Sequence, residues 1–239
     1  MRRSIVLTVT ALVLLSGCSV VRDVSAARCP SSRKLLPQGA ADYIDFVRVG
    51  GITYHAGIRP AAGRALRDSD LGAQVAVVRC KLADHIIEGP GTRLDGDAAY
   101  LDTGTPVYAV KGYRPTFRLA ARRDGKLVLF EAADNPRART WADLLDLGGK
   151  VSWIGVNDGN NRQVAAIKDR KQVARLVDLL LGSPAGKPTA CADGGNVFLA
   201  FHLDDATATV LSYNLHFRRL DCRDPLPKPF GAAIRAALR

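Results

Sequence analysis

Short runs of alternating apolar and polar residues, many of them β-branched or aromatic, dominate the chain between residues 42 and 136. This alternation predicts half-buried strands, which we place at 43–49, 52–56, 74–79, 106–112, 117–121 and 127–131. Gly50-Gly51 joins the first two strands, and Asp124-Gly125 joins the last two as a type I′ turn. The second turn sets Leu119 opposite Phe130 and Arg118 opposite Glu131. We expect the charged pair to contribute roughly a few tenths of a kcal/mol.

Helical periodicity joins the strand pattern after residue 137. The strongest helix is predicted after Asp169, a capping residue, and Gly182 and Pro184 end it. Its apolar face repeats at intervals of three and four residues and consists of Val173, Leu176, Val177, Leu180 and Leu181. Thr140 predicts the cap of a shorter helix, and a third is predicted at 230–238. Strands are expected at 150–156, 163–167, 197–203 and 207–213.

These elements predict an α+β fold, with a mostly antiparallel sheet first and β-hairpins packed against one or two amphipathic helices afterwards. The break at Asn135-Pro136 favours two domains, a mainly β domain at 42–136 and an α+β domain at 137–239. One domain spanning 42–239 is the alternative.

The N-terminus has the three zones of an export signal, which are two arginines after Met1, an apolar run from 5 to 15, and a small-residue junction. The run is shorter than the roughly 20 residues needed to span a bilayer as a helix. The junction Leu15-Ser16-Gly17-Cys18 resembles the lipobox of bacterial lipoproteins. The resemblance implies that residues 1–17 are removed and that Cys18 receives a diacylglyceryl group. It also implies a place at the outer face of the cytoplasmic membrane. Residues 19–41 contain Ser, Ala, Arg and Pro and have no sustained period, so we interpret 18–41 as a lipid-anchored tether.

Four further cysteines remain, namely Cys29, Cys80, Cys191 and Cys222. An even number of cysteines in an oxidising compartment indicates disulfides, and four cysteines allow three pairings. We favour Cys29 with Cys80, and Cys191 with Cys222, because the second pair flanks the hairpin predicted at 197–213. The alternative is a metal site, whose ligands would be Cys191, His202, His216 and Cys222.

The basic charge bears on possible partners. Residues 1–17 carry two arginines and no acidic residue, so their removal would lower the net charge from +11 to +9. Export argues against nucleic acid as the partner, which leaves the membrane surface, an envelope protein or an anionic wall polymer. A solvated surface without a specific anionic partner is the simpler interpretation.

Known catalytic and binding motifs are not recognisable in the sequence. The segment 182–187 lacks one residue and the final Ser or Thr of a phosphate-binding loop, and Asp95-Gly96-Asp97 lacks the ligand series of a calcium loop. We therefore predict no catalytic residue, no metal and no cofactor, and a non-enzymatic binding or interaction module. The alternative is a hydrolase acting on cell-envelope material. It requires some of the following to meet in one cleft: His55, His85, His202, Asp95 and Asp97. A His85–Glu88 acid–base pair is a further alternative.

Overall fold

The computed structural model describes residues 29, 44–57, 62–83, 93–190 and 194–239, together with the backbone of 35–37 and 85–87. Within these ranges the chain forms two larger sheets, a two-stranded sheet and three α-helices. Strand content exceeds helix content, which agrees with the predicted α+β fold of mostly antiparallel sheet with a few helices. None of the helices in this part of the chain has the length and apolar character needed to cross a bilayer.

The first large sheet has eight strands, which are β2 (Phe46–Val49), β3 (Ile52–His55), β4 (Leu71–Val77), β5 (Cys80–Lys81), β7 (Asp97–Ala98), β8 (Pro106–Val110), β9 (Arg118–Arg123) and β10 (Lys126–Asp134). Their order in the sheet is β4-β8-β9-β10-β3-β2-β7-β5. All neighbours are antiparallel except β5 and β7. A separate pair consists of β1 (Leu35–Pro37) and β6 (His85–Ile87).

The register predicted for the β9–β10 hairpin is confirmed. Leu119 lies opposite Phe130 and Arg118 opposite Glu131. Asp124 and Gly125 have φ values of 51° and 74°, as a type I′ turn requires. Gly50 and Gly51 likewise adopt positive φ between β2 and β3. The edge strand β4 is displaced from its prediction, since it begins at Leu71 and ends at Val77.

The second large sheet has five strands, which are β11 (Val151–Asn157), β12 (Gln163–Ile167), β13 (Asn196–Leu203), β14 (Ala208–Asn214) and β15 (Arg219–Leu220). Their order in the sheet is β12-β11-β13-β14-β15. The helices are α1 (Trp141–Leu144), α2 (Arg170–Leu181) and α3 (Lys228–Ala237). The Asp169 side chain accepts a hydrogen bond from the Gln172 amide and caps α2, as predicted. Gly182 ends α2 with a right-handed φ of −76° rather than the left-handed value common for glycine there.

Each large sheet has its own apolar core. In the first sheet one face buries Val47, Tyr54, Leu119 and Phe130, among others. In the second sheet one face packs against the apolar side of α2, and this cluster also contains Phe117, which directly precedes β9. The predicted boundary at Asn135-Pro136 falls between β10 and α1, and division into two domains stays a prediction.

Cys29 and Cys80 form a disulfide, which is the favoured pairing. Both cysteines belong to a small cluster with Phe46, Leu82 and Ala99 at the β5 end of the first sheet. Cys222 is also disulfide-bonded. Its predicted partner, Cys191, lies outside the described residues.

Candidate ligand-binding cleft

A cleft of about 360 Å³ lies between the two large sheets. Its floor follows alternate residues of β10, one wall is the start of β14, and another wall is the segment 62–66. Nine of its fourteen lining residues are Ala, Leu or Val. The lining residues are His55, Ala56, Gly57, Ala62, Gly63, Arg64, Ala65, Leu66, Leu127, Leu129, Glu131, Ala133, Ala208 and Val210.

The wall at 62–66 runs close to the β13–β14 turn. The Arg64 amide donates to the Ala206 carbonyl at 2.8 Å, and Gly63 forms an antiparallel bridge with Thr207. Gly63 has a φ of 71°, and a Cβ there would lie 2.6 Å from the Ala206 carbonyl oxygen. Any residue with a Cβ at this position would displace the backbone of the β13–β14 turn. Gly63 therefore allows the wall segment to lie directly against the second sheet.

Arg118 is the main polar link between the sheets, and it is fully buried. Its Nε donates to Glu131 Oε1 at 2.8 Å within the first sheet. Its two terminal nitrogens reach the second sheet, where they donate to Thr207 Oγ1 at 2.9 Å and Thr209 Oγ1 at 2.5 Å. A further bond to the Ala208 carbonyl measures 3.0 Å. The sequence predicted the Arg118–Glu131 pair correctly but treated it as an ordinary cross-strand contact. Because Arg118 is buried, removal of either partner would leave an uncompensated charge, which is costly even where the net contribution of the intact pair is small.

Aromatic rings complete the surroundings of Arg118. The guanidinium carbon lies 4.7 Å from the centre of the Tyr113 ring and 4.9 Å from that of Phe117. These cation–π contacts stabilise a charge that has lost its water. Tyr113 in turn donates to Asp205 Oδ2 at 2.9 Å, and burial raises the pKa of Tyr113 to about 12.

Asp205 stays ionised in the turn between β13 and β14. Burial acts to raise its pKa, but hydrogen bonds from Thr207 and Tyr113 outweigh burial, so the pKa lies below its usual range. The Thr207 amide and hydroxyl donate to Asp205 Oδ1 at 2.8 and 2.7 Å. Asp205 thus fixes the hydroxyl group that Arg118 contacts.

Glu131 lies between two basic side chains across the first sheet. Arg118 is its partner on β9, and His55 is its directly opposed partner on β3. Directly opposed residues point to the same face of a sheet. Arg118, Glu131 and His55 therefore form a row of side chains on one face of the first sheet. Glu131 and His55 line the cleft.

The histidines and aspartates required by the hydrolase alternative do not converge among the described side chains. His55 lines the cleft, whereas His202 stacks on Trp153 with ring centres 3.6 Å apart. Asp95 accepts from the Gly51 amide at 2.8 Å, and Asp97 accepts from the Leu94 amide at 2.6 Å, so both act as turn residues. Glu88 and the side chain of His85 lie outside the described residues.

The alternative metal site loses one of its four ligands, because the disulfide-bonded Cys222 has no thiolate to offer. Of the other proposed ligands, His202 contacts Trp153 and His216 contacts Phe217. The described residues contain no group of three or more His, Cys, Asp or Glu that could hold a metal ion. Cys18, the predicted lipidation site, lies outside them, as does Cys191.

Sequence reasoning missed most of the cleft, although β10 carried a usable signal. Its residues are apolar on both faces, since Val128, Phe130 and Ala132 alternate with Leu127, Leu129 and Ala133. A strand with two apolar faces is typically covered on both sides. The exception on the second face is Glu131, which pairs with the buried Arg118.

No family model, no curated protein and no solved structure matches the chain. Its function must therefore be inferred from its own residues.

Proposed function

We propose that the chain is an extracytoplasmic lipoprotein, anchored through Cys18 at the outer face of the cytoplasmic membrane. Its folded body binds a ligand in the cleft between the two sheets and does no chemistry on it. The membrane is its partner through the lipid, and the ligand belongs to the envelope.

The cleft is the observation that carries the binding function. Its volume lies in the range of about 300–1,000 Å³ that is common for small-molecule sites, and its apolar walls surround a few fixed polar groups. The polar groups are held before any ligand arrives, because Arg118 and Thr209 both bond to Glu131 Oε1. A preformed site loses less entropy when it binds.

The disulfides support the compartment. Cys29–Cys80 closes a sequence separation of 51 residues, and Cys222 is oxidised as well. Stable disulfides are rare in the cytosol and common in exported proteins. They agree with the export signal read from the N-terminus.

The binding function is tested with two fluorescent probes that share one ring system, neutral N-phenyl-1-naphthylamine and anionic 8-anilino-1-naphthalenesulfonate. At least one should bind the soluble body with one-to-one saturation. Leu129→Gln, in the floor of the cleft, should weaken that binding about tenfold or more, because a buried apolar contact is lost. Leu94→Gln is the matched control, since Leu94 is 41% exposed and does not line the cleft. Equal binding by both variants would refute the cleft as the site.

The anchor is tested separately by the intact mass of protein from a membrane fraction. A chain that begins at Cys18 and carries acyl mass supports the proposal, and Cys18→Ala should lose both the acyl mass and membrane retention. An unmodified chain of full length would refute it.

One observation favours the alternative of an envelope hydrolase, namely that His55 lies directly opposite Glu131 on the cleft floor. A carboxylate beside a histidine is the usual arrangement of a general base and its orienting group. Incubation with purified cell-wall sacculi, followed by mass spectrometry of released fragments, separates the two functions. The hydrolase predicts fragments that disappear with His55→Gln, whereas the binding protein releases none.

A further inference from the structure

We propose that the ligand of the cleft is an uncharged, mainly apolar small molecule, or a group of that kind on a larger molecule, with a hydrogen-bonding group at one end. This inference rests on the proposed binding function and names its ligand class. The charged side chains around the cleft are paired within the protein, and the side chains along its floor change from apolar to polar.

Arg64 lines the cleft, but its guanidinium is engaged inside the protein. Two of its nitrogens bind Asp70 at 2.6 and 3.1 Å, and its Nε donates to the Asp205 carbonyl at 2.7 Å. The paired Asp70 holds the pKa of Arg64 above its usual value through this hydrogen bond, and the pKa of Asp70 is lowered in return. Arg64 therefore stabilises the wall and does not offer the free fork that would bind an anionic ligand.

Glu131 is also neutralised within the fold. Its carboxylate pairs with Arg118 at 2.7 Å and accepts from the Thr209 hydroxyl at the same distance. A cationic ligand would have to compete with a guanidinium that is fully buried and fixed by further bonds to the second sheet. The ion pair presents a polar surface to the cleft without a net charge.

An ion entering this cleft would lose part of its hydration, and the charges of Arg64 and Glu131 are already paired within the protein. Desolvation of an unpaired charge costs far more than burial of a neutral group that finds one hydrogen bond. The internal pairing therefore selects against both anions and cations and favours neutral ligands.

Polarity changes along the floor of the cleft. Leu127, Leu129 and Glu131 are alternate residues of β10, so the distance from the first to the third is about 13 Å in an extended strand. Leu66 and Val210 add apolar surface from the two walls. An apolar body fits against Leu127 and Leu129, with its hydrogen-bonding group near His55 and Glu131.

The two probes test this inference directly, since they differ mainly by one sulfonate. The neutral probe should bind the cleft about tenfold more tightly than the anionic one, because the sulfonate finds no free cation there. Titrations are made at high ionic strength, where general attraction to a basic protein is screened. Only binding that Leu129→Gln removes and Leu94→Gln retains is assigned to the cleft.

Each outcome has a definite meaning. Cleft binding in which the anionic probe is equal to or tighter than the neutral one overturns the inference and leaves the binding function standing. If neither probe shows binding that depends on Leu129, both fail.

Discussion

At the scale of single residues, Arg118 links the two large sheets through hydrogen bonds of its side chain. It is fully buried and binds Glu131 on its own sheet and two threonines on the other. The sequence identified its strand partner because a two-residue turn fixes the register. It could not identify Thr207 and Thr209, since hydrogen bonds over 89 and 91 residues leave no local pattern.

Arg118→Met should lower the free energy of unfolding by about 3–5 kcal/mol, because the substitution leaves Glu131 in a water-poor site without its cation. Urea denaturation at neutral pH measures this loss. The double variant Arg118→Met with Glu131→Gln should be more stable than the single variant, since the orphaned charge is then removed.

Arg122→Met is the matched control for this prediction. Arg122 lies on the same face of β9, is 46% exposed and pairs with Asp68 at the surface. Exposed pairs contribute about 0–1 kcal/mol, so this variant should remain close to wild type. If both single variants lost the same small amount, Arg118 would not be the link between the sheets described above.

At the scale of elements, secondary structure was predicted most accurately where one turn or one capping residue fixed the local geometry. The Asp124-Gly125 hairpin and the Asp169-capped helix formed as predicted because their signals are contained within a few residues. The displaced β4 shows the opposite case. Two irregularities in its pairing with β8 break the alternation from which its ends were predicted.

The β11–β13 pair carries a prediction about pH. His202 stacks on Trp153 across these strands, and burial lowers its pKa from the usual 6.5. The unfolded chain therefore binds the proton more readily, and stability should fall as the pH drops through and below 6.5. In His202→Gln this part of the pH dependence should disappear.

Urea midpoints measured between about pH 5 and pH 7 test the sign of this effect. His216→Gln is the control, because His216 contacts Phe217 after the end of β14 and lies outside the stack. A His202→Gln variant that keeps the wild-type slope would refute the assignment to the stack.

At the scale of the whole molecule, the sequence predicted the two groups of elements but not how they join. The joining contacts are mainly arginines that reach backbone carbonyls or hydroxyls of the other sheet or of its flanking loops. Arg223 donates to the Ala133 carbonyl at 2.6 Å, and Arg64 donates to the Asp205 carbonyl at 2.7 Å. An arginine of this kind looks the same in sequence as a solvated one. The cleft follows from this junction, so it could not be predicted either.

The Cys29–Cys80 disulfide bears on the stability of the molecule as a whole. In the chain-entropy model, a bridge across a separation of 51 residues contributes up to about 4 kcal/mol by restricting the unfolded chain. The double variant Cys29→Ser with Cys80→Ser should therefore unfold at lower urea concentration than wild type under oxidising conditions. Its denaturation slope should rise, because the unfolded chain without the bridge exposes more surface.

Comparison under oxidising conditions keeps the Cys222 disulfide intact in both proteins, so the difference reports one bridge only. Phe46, Leu82 and Ala99 cluster around this bridge. Their apolar packing could hold residue 29 against β5 without the disulfide. If that packing dominated, the variant would match wild type in both midpoint and slope. The disulfide would then form because the fold brings the two cysteines together in an oxidising compartment. It would add nothing to the stability of the folded state.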